Sequence, residues 1–262
     1  MNAKLRLKSN MKTVSSPKRP VLFSALHCVE EELSHLTKIG VIQFLSYAKW
    51  AALIVVVRKQ NGTVRLCADF FTGLNASLED NHHPLLVSED IFATLNDGKF
   101  FVKLDLSDAH LQVEVKPDCR ELLTINTHRD LYKFTRLSII VKTVLAIFQS
   151  IMDNLISGLE DTVSHLDYIL VVGQSDEELQ SGIESLLKRI KEYCFQLQPE
   201  KCGFFLKSIK YLGFIFDSES RYPDPENIRA IVNMPLLTDV TTLLSFLGLI
   251  SYYFLCMRYV GH

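Results

Sequence analysis

The sequence predicts an α+β fold whose sheet carries acidic residues at the end of its strands. Three observations lead there. Short β-branched runs alternate with longer segments of helical spacing, so strands and helices share one core. The strand-type stretch Lys99-Phe-Phe-Val-Lys-Leu-Asp105 ends on an acid, and Ser164-His-Leu-Asp167-Tyr-Ile-Leu-Val171 sets a second acid beside another apolar run. An Asp at the end of a buried strand is held more firmly than one on a mobile loop. If Asp105 and Asp167 converge, they make an oxygen site suited to a hard divalent cation such as Mg²⁺, which accepts carboxylates together with substrate phosphates. That arrangement serves metal-assisted phosphoryl or nucleotidyl transfer.

The 262 residues are 48% hydrophobic and 22% charged, enough apolar material for a globular core and too much for general disorder. Net charge is −2, so any surface for nucleic acid must be local. Six cysteines, Cys28, Cys67, Cys119, Cys194, Cys202 and Cys256, contain no C-x-x-C pair, and no secretory signal is seen. They read as reduced thiols of an intracellular protein, not secreted, and Cys194 and Cys202 lack partners at zinc-ligand spacing. The apolar segment Leu243 to Leu255 is too short to span a bilayer.

Residues 1–20 hold six cations and no acid, with Ser15-Ser16-Pro17 and Pro20, and predict a flexible basic arm. Leu33, Leu36 and Ile39 recur at helical spacing between Glu30 and Ile42, and Gly40 stops that run. Ala52 to Val57 and Val64 to Ala68 form two strands about Asn61-Gly62, a strong hairpin signal. Arg58, Lys59 and Arg65 near its tip would suit a polyphosphate, although charged hairpin tips are usually just solvated. Loop residues follow, with a short helix near Ser88 to Leu95; His82 and His83, beside Pro84, read as surface residues. Gln112 to Lys116 alternates as a half-buried strand, with Leu122 to Thr127 as its partner.

Thr143 to Gly158 places Val144, Ile147, Phe148, Ile151, Met152 and Leu155 on one helical face. Thr162 to Val172 reads as two strands bent about Asp167-Tyr168. Ser175-Asp-Glu-Glu178 is a capping box that opens a second amphipathic helix. Lys210 to Phe216 predicts one further strand, Asp224-Pro225 starts a helix that Pro235 breaks, and a last helix covers about Asp239 to Tyr253.

Read together, Val55-Val-Val-Arg-Lys-Gln-Asn-Gly-Thr-Val-Arg65-Leu-Cys-Ala-Asp69-Phe, Leu74-Asn75, Lys103-Leu-Asp105-Leu-Ser-Asp-Ala, Ala146-Ile-Phe-Gln149, His165-Leu-Asp167, Glu200-Lys201-Cys202 and Tyr211-Leu-Gly213-Phe resemble reverse transcriptases of gypsy-type long-terminal-repeat retrotransposons. The motifs keep the family's order over roughly residues 30–255. The resemblance implies a right-hand polymerase fold, with fingers and palm over 21–216 and the start of a truncated thumb or connection over 217–262. It implies that Asp105 and Asp167 hold Mg²⁺ or Mn²⁺, and that Lys201 stands where a proton donor to pyrophosphate is expected. Arg65 with Lys59 or Arg58, the amides of Asp108 and Ala109, His110 and Gln149 would contact the nucleotide. Leu212 and Gly213 would belong to the primer grip. RNA or DNA template-primer and dNTPs are the implied partners, with no membrane, and the ribonuclease H and integrase regions found downstream in the family are expected to be absent.

Departures from the family pattern cluster at the same place. Tyr168 stands where Tyr-x-Asp-Asp has its last acid, and a phenol does not replace that charge near neutral pH. His110 replaces the Tyr that screens the sugar 2′ position. Leu137-Ser138-Ile139-Ile140 replaces Leu-Pro-Phe-Gly, and Val144-Leu145 replaces Ala-Pro. Two functions follow as expectations: an RNA-directed DNA polymerase with impaired activity, or a catalytically dead remnant that only binds nucleic acid.

Overall fold

A computed structural model describes residues 2–58, 62–71, 73–81, 83–84, 88–96, 98–138, 140–234 and 238–257, apart from the side chains of 88, 89 and 255–257. The chain folds as two units: Met1–Leu85 with Ser107–Leu155 and Tyr193–Gln196, and Leu86–Leu106 with Ile156–Glu192 and Leu197–His262. Lys59, Asn61, His82, Ile139 and Pro235, all singled out from the sequence, lie outside the described residues.

The first unit is built on a five-stranded sheet in the order Ile42–Leu45, Leu131–Phe134, Thr124–Asn126, Ala52–Arg58, Val64–Asp69. Val64, Leu66 and Ala68 face inward and alternate with outward neighbours, the period-two pattern that pins a strand's register. The two strands predicted on either side of Asn61-Gly62 pair antiparallel, with Arg58 across from Val64. The first helix runs over Phe23–Lys38, starting earlier than the expected Glu30, because Ala25 and Val29 extend its buried stripe toward the N-terminus. Helix Val144–Ile156 buries the six apolar residues expected of it and Gln149 besides.

Two expectations for this unit are corrected. Gln112 to Lys116 does not pair with Leu122 to Thr127: a 3₁₀ turn covers Ala109–Gln112, and Thr124–Asn126 pairs instead with Leu131–Phe134 and Ala52–Leu53. The segment predicted as a solvated arm lies on the unit. Asn2–Ala3 runs parallel to Glu114–Val115, Ala3 and Leu5 are buried, and the amide of Ser16 donates to the carbonyl of Ala51 at 2.8 Å. Ala3, Leu5 and Leu7 alternate with Lys4, Arg6 and Lys8, so a strand pattern was present beneath the charge count.

The second unit holds an antiparallel sheet in the order Gly203–Leu206, Phe100–Asp105, Tyr168–Gly173, Thr162–His165, and a three-stranded sheet of Ser208–Tyr211, Phe214–Asp217 and Arg221–Pro223. Phe92, Phe101, Leu170, Val172, Phe214 and Phe216 share one core cluster. Helix Asp176–Glu192 covers its part of the unit with Leu179, Ile183, Leu186 and Ile190. Its capping box forms as predicted: the Glu178 amide donates to Ser175 Oγ at 3.2 Å, and Glu178 Oε2 accepts from the Gln174 amide at 2.7 Å. Lys210 to Phe216 is not one strand, as expected, but two strands closed by a turn at Leu212-Gly213. The apolar run masked that turn. Helices Pro225–Val232 and Val240–Met257 complete the unit. Among the described residues, no helix is long and apolar enough to cross a membrane.

Candidate active site

The register of the second unit's sheet brings the two predicted acids to one edge. Phe100–Asp105 and Tyr168–Gly173 pair antiparallel with Asp105 directly across from Tyr168, so Asp167, one residue earlier, lies just before the adjoining strand at the same end. The amide of Leu106 donates to the carbonyl of Asp167 at 3.1 Å and locks that end of the ladder. Asp167 sits in the two-residue turn closed by the pair His165 and Tyr168, and is exposed. Leu166 takes φ +52° there, a left-handed conformation that a Leu adopts only under constraint from its surroundings.

Asp105 is 3% exposed. Its backbone is held closely. The Asp105 amide points at Cys202 Sγ at 3.5 Å, its carbonyl accepts from the Gln198 amide at 2.8 Å, and the Cys202 thiol donates to the Gln198 carbonyl at 3.3 Å. Lys201 is exposed on the 3₁₀ turn Pro199–Lys201, three residues beyond Gln198, so the same contacts fix where its stem begins.

Residues directly opposed on an antiparallel pair share a face, as do alternate residues of one strand. Lys103, Asp105, Tyr168 and His165 therefore project from one side of the sheet. Lys103 Nζ lies 4.0 Å from the centroid of the Tyr168 ring, a cation–π contact at the place where the family pattern has a carboxylate. The His165 ring packs edge-on against Tyr211 at 6.1 Å, and burial lowers its pKa. Burial, followed by the neighbouring Tyr168 and Tyr252, raises the Tyr211 phenol above the ordinary tyrosine range. Lys103 and Cys202 stand in the quoted motifs but were given no role at the site from sequence. The signal for Lys103 was its position two residues before Asp105 on the same strand face; Cys202 had none, because its contact spans the strand order.

The turn at Leu212-Gly213 has positive φ at both residues, +45° and +79°, with Tyr211 across from Phe214. The Tyr252 hydroxyl donates to the Leu212 carbonyl at 2.7 Å.

In the first unit, register separates two of the expected nucleotide ligands. Val57 faces Arg65 and Arg58 faces Val64, so Arg58 and Arg65 leave opposite faces of their hairpin. The joint clamp expected of them is not formed, because strand side chains alternate; Arg58 Nη2 lies 3.4 Å from the Ser24 carbonyl instead. Arg65 is exposed. Ala109 and His110 are buried next to Asp108, which takes φ +41°, and the His110 ring packs on Phe148 at 4.6 Å. Asn75 ties the following loop: its Nδ2 donates to the Ile140 carbonyl at 3.0 Å and its Oδ1 accepts from the Lys142 amide at 2.8 Å. Gln149 is buried on the Val144–Ile156 helix.

Among the described residues no group of three or more His, Cys, Asp or Glu could hold a metal ion. Asp105 and Asp167 are the carboxylates that would hold a Mg²⁺ ion arriving with substrate phosphates, since that ion often takes only one or two protein carboxylates.

A four-stranded antiparallel sheet with Asp105 at the end of one central strand and Asp167 in the turn leading into the other, followed by a hairpin of the Leu-Gly type, has the layout of a polymerase palm. Residues 57–216 match the family described as reverse transcriptase (RNA-dependent DNA polymerase), and the chain belongs to that family. An uncharacterised protein of Caenorhabditis elegans is 43% identical over 94% of this chain, which spans 19% of that protein. The Pol polyprotein of the Drosophila melanogaster transposon gypsy is 28% identical over 89% of this chain, which spans 23% of it. The chain thus covers about a fifth of the length of these relatives. Among solved structures, the foamy viral protease–reverse transcriptase bound to double-stranded DNA superposes with a TM-score of 0.82 at 19% identity, over 93% of this chain and 43% of that one. The likeness identifies the fold as that of a reverse transcriptase.

Proposed function

We propose that this chain forms the fingers, palm and beginning of the thumb of an RNA-directed DNA polymerase of a long-terminal-repeat retrotransposon, with a weakened metal edge. One observation carries the reading: Asp105 ends a strand whose neighbour starts just after Asp167, and the Leu106 amide donates to the Asp167 carbonyl. Polymerases of this family work with Mg²⁺, and here Asp105 and Asp167 would hold it or Mn²⁺. The metal, when bound, would supply charge stabilisation for the transferring phosphoryl group. Asp105 and Asp167 would set where the primer end and triphosphate meet. Arg65, with Lys59, and the amides of Asp108 and Ala109 would orient the triphosphate; Gln149 and His110 would border the nucleotide. Lys201 would give a proton to the leaving pyrophosphate, and Leu212-Gly213 would seat the primer. Template-primer and dNTPs are the partners in this reading, inside the cell.

Tyr168 favours the impaired form of the activity. It replaces an acid directly across from Asp105 and parks the Lys103 ammonium beside the pair, and both changes lower divalent-ion affinity. Primer extension on an RNA template tests this. The unaltered chain is expected to extend weakly, better with Mn²⁺ than Mg²⁺, Asp105→Asn to abolish extension, and Tyr168→Asp to raise it by about tenfold or more. Full extension by the unaltered chain would overturn the impairment. Silence from both the chain and Tyr168→Asp would leave the second reading, a remnant that binds nucleic acid, whose duplex affinity should fall steeply with salt as counterions are released.

A further inference from the structure

We infer that Asp153 and His83 are positioning residues for Gln149, through which the loop at Asn81–Pro84 controls the nucleotide pocket; the inference rests on the reading of Gln149 as a nucleotide contact. Gln149 and Asp153 stand one turn apart on the Val144–Ile156 helix, the spacing at which helix side chains meet. Gln149 Nε2 donates to Asp153 Oδ1 at 2.8 Å. The other oxygen, Oδ2, lies 2.6 Å from His83 Nε2, seventy residues away in sequence. His83 is itself fixed, because its amide donates to Asn81 Oδ1 at 3.1 Å in a local turn. His83 is therefore not the plain surface residue expected from sequence.

The chain of contacts determines an orientation. A glutamine amide presents a donor end and an acceptor end, and only its partners decide which faces where. With Nε2 committed to Asp153, the amide of Gln149 cannot turn over without breaking that bond. Asp153 cannot swing to release it while His83 holds the second oxygen. The pair is too open to serve mainly as a stabilising ion pair: the side chains of His83 and Asp153 are 28% and 32% exposed, and exposed pairs contribute little to folding. Its effect belongs at Gln149, which is 1% exposed and has no room to choose another rotamer freely.

The test is the affinity of the full chain for a fluorescent mant-dATP with Mn²⁺, alongside its thermal midpoint and circular dichroism. Gln149→Ala is the reference, expected to weaken binding about tenfold. Asp153→Leu, which removes both acceptors, is expected to weaken it nearly as much, and His83→Ala about threefold to fivefold. Asp153→Asn keeps an acceptor for Gln149 Nε2 and should recover most of the loss, which a merely structural role would not predict. In Gln149→Ala the further change Asp153→Leu should add no effect, since the two act in one line. If Gln149→Ala weakens binding while folded Asp153→Leu and His83→Ala match the unaltered chain, the positioning role is wrong and the nucleotide site stands. If Gln149→Ala binds as the unaltered chain does, or neither binds, the nucleotide reading fails and takes this inference with it.

Discussion

Two hairpins of the second unit make the same bend by different means. One closes at His165 and Tyr168 around Leu166-Asp167, the other at Tyr211 and Phe214 around Leu212-Gly213. Both force a leucine to positive φ, +52° and +45°, at a cost of about 1–2 kcal/mol each. The Leu212 turn is held from outside, by the Tyr252 hydroxyl on its carbonyl and by Tyr253 against Gly213. The Leu166 turn is held from within the sheet: Tyr168 is paired on one side with His165 and on the other with Asp105. Backbone pairing, not the side chains at 165 and 168, sets that bend. The motif can therefore lose an acid and a tyrosine while its geometry persists.

The comparison breaks most sharply at Gly213. A Cβ there would meet Tyr253 Oη at 2.7 Å and Asn227 Nδ2 at 3.2 Å on a backbone with φ +79°, so Gly213→Ala should lose about 2–3 kcal/mol in urea unfolding. An unmoved midpoint would show that the helix does not brace the turn. Leu166→Gly should move the other way, gaining about 0.5–1 kcal/mol as the strained conformation is relieved; a loss would mean that the Leu166 side chain matters more than the sheet. Lys103→Ala should cost about 0.5–1 kcal/mol by removing the ammonium from the Tyr168 ring, and less in a Tyr168→Leu background.

The smallest change expected is one of pH dependence. Asp224 caps helix Pro225–Val232, and the Glu226 amide, followed by Lys210, holds its carboxyl below the usual carboxylate range. Its stabilising contribution is whole above about pH 4, the unfolded value, and disappears as the pH falls through the lower folded value. The difference in thermal midpoint between the protein and Asp224→Asn should be largest near neutrality and shrink as the pH falls below the unfolded value and through the lowered folded one. A constant difference would locate the effect in packing instead.

Local signals were legible where one residue type has one use. The Ser175 to Glu178 box and Asp224-Pro225 each name a cap, and each is where expected, while the strands on either side of Asn61-Gly62 pair as that dipeptide implies. The pairing of the Asp105 and Asp167 strands was legible too, because both acids end apolar runs. Short mixed strands were not: Ile42–Leu45 and Leu131–Phe134 have four residues each and no clean alternation, and they exist through each other's pairing. The Leu212-Gly213 turn was hidden because nothing local announces a leucine at positive φ. The split of Arg58 from Arg65 depends on hairpin register, which the six intervening residues leave open. Contacts such as Cys202 under Asp105, or His83 on Asp153, join residues that only the finished topology makes neighbours.

Strand Phe100–Asp105 is flanked on both sides, by Gly203–Leu206 and by Tyr168–Gly173, whereas Thr162–His165 lies at the rim of the same sheet. Amide protons on an interior strand exchange with solvent only when the whole sheet opens, while those on a rim strand escape through local fraying. Val102 and Leu104 should thus rank among the slowest-exchanging amides of this unit. The scaffold beneath Asp105 would then be among the last parts of this unit to open.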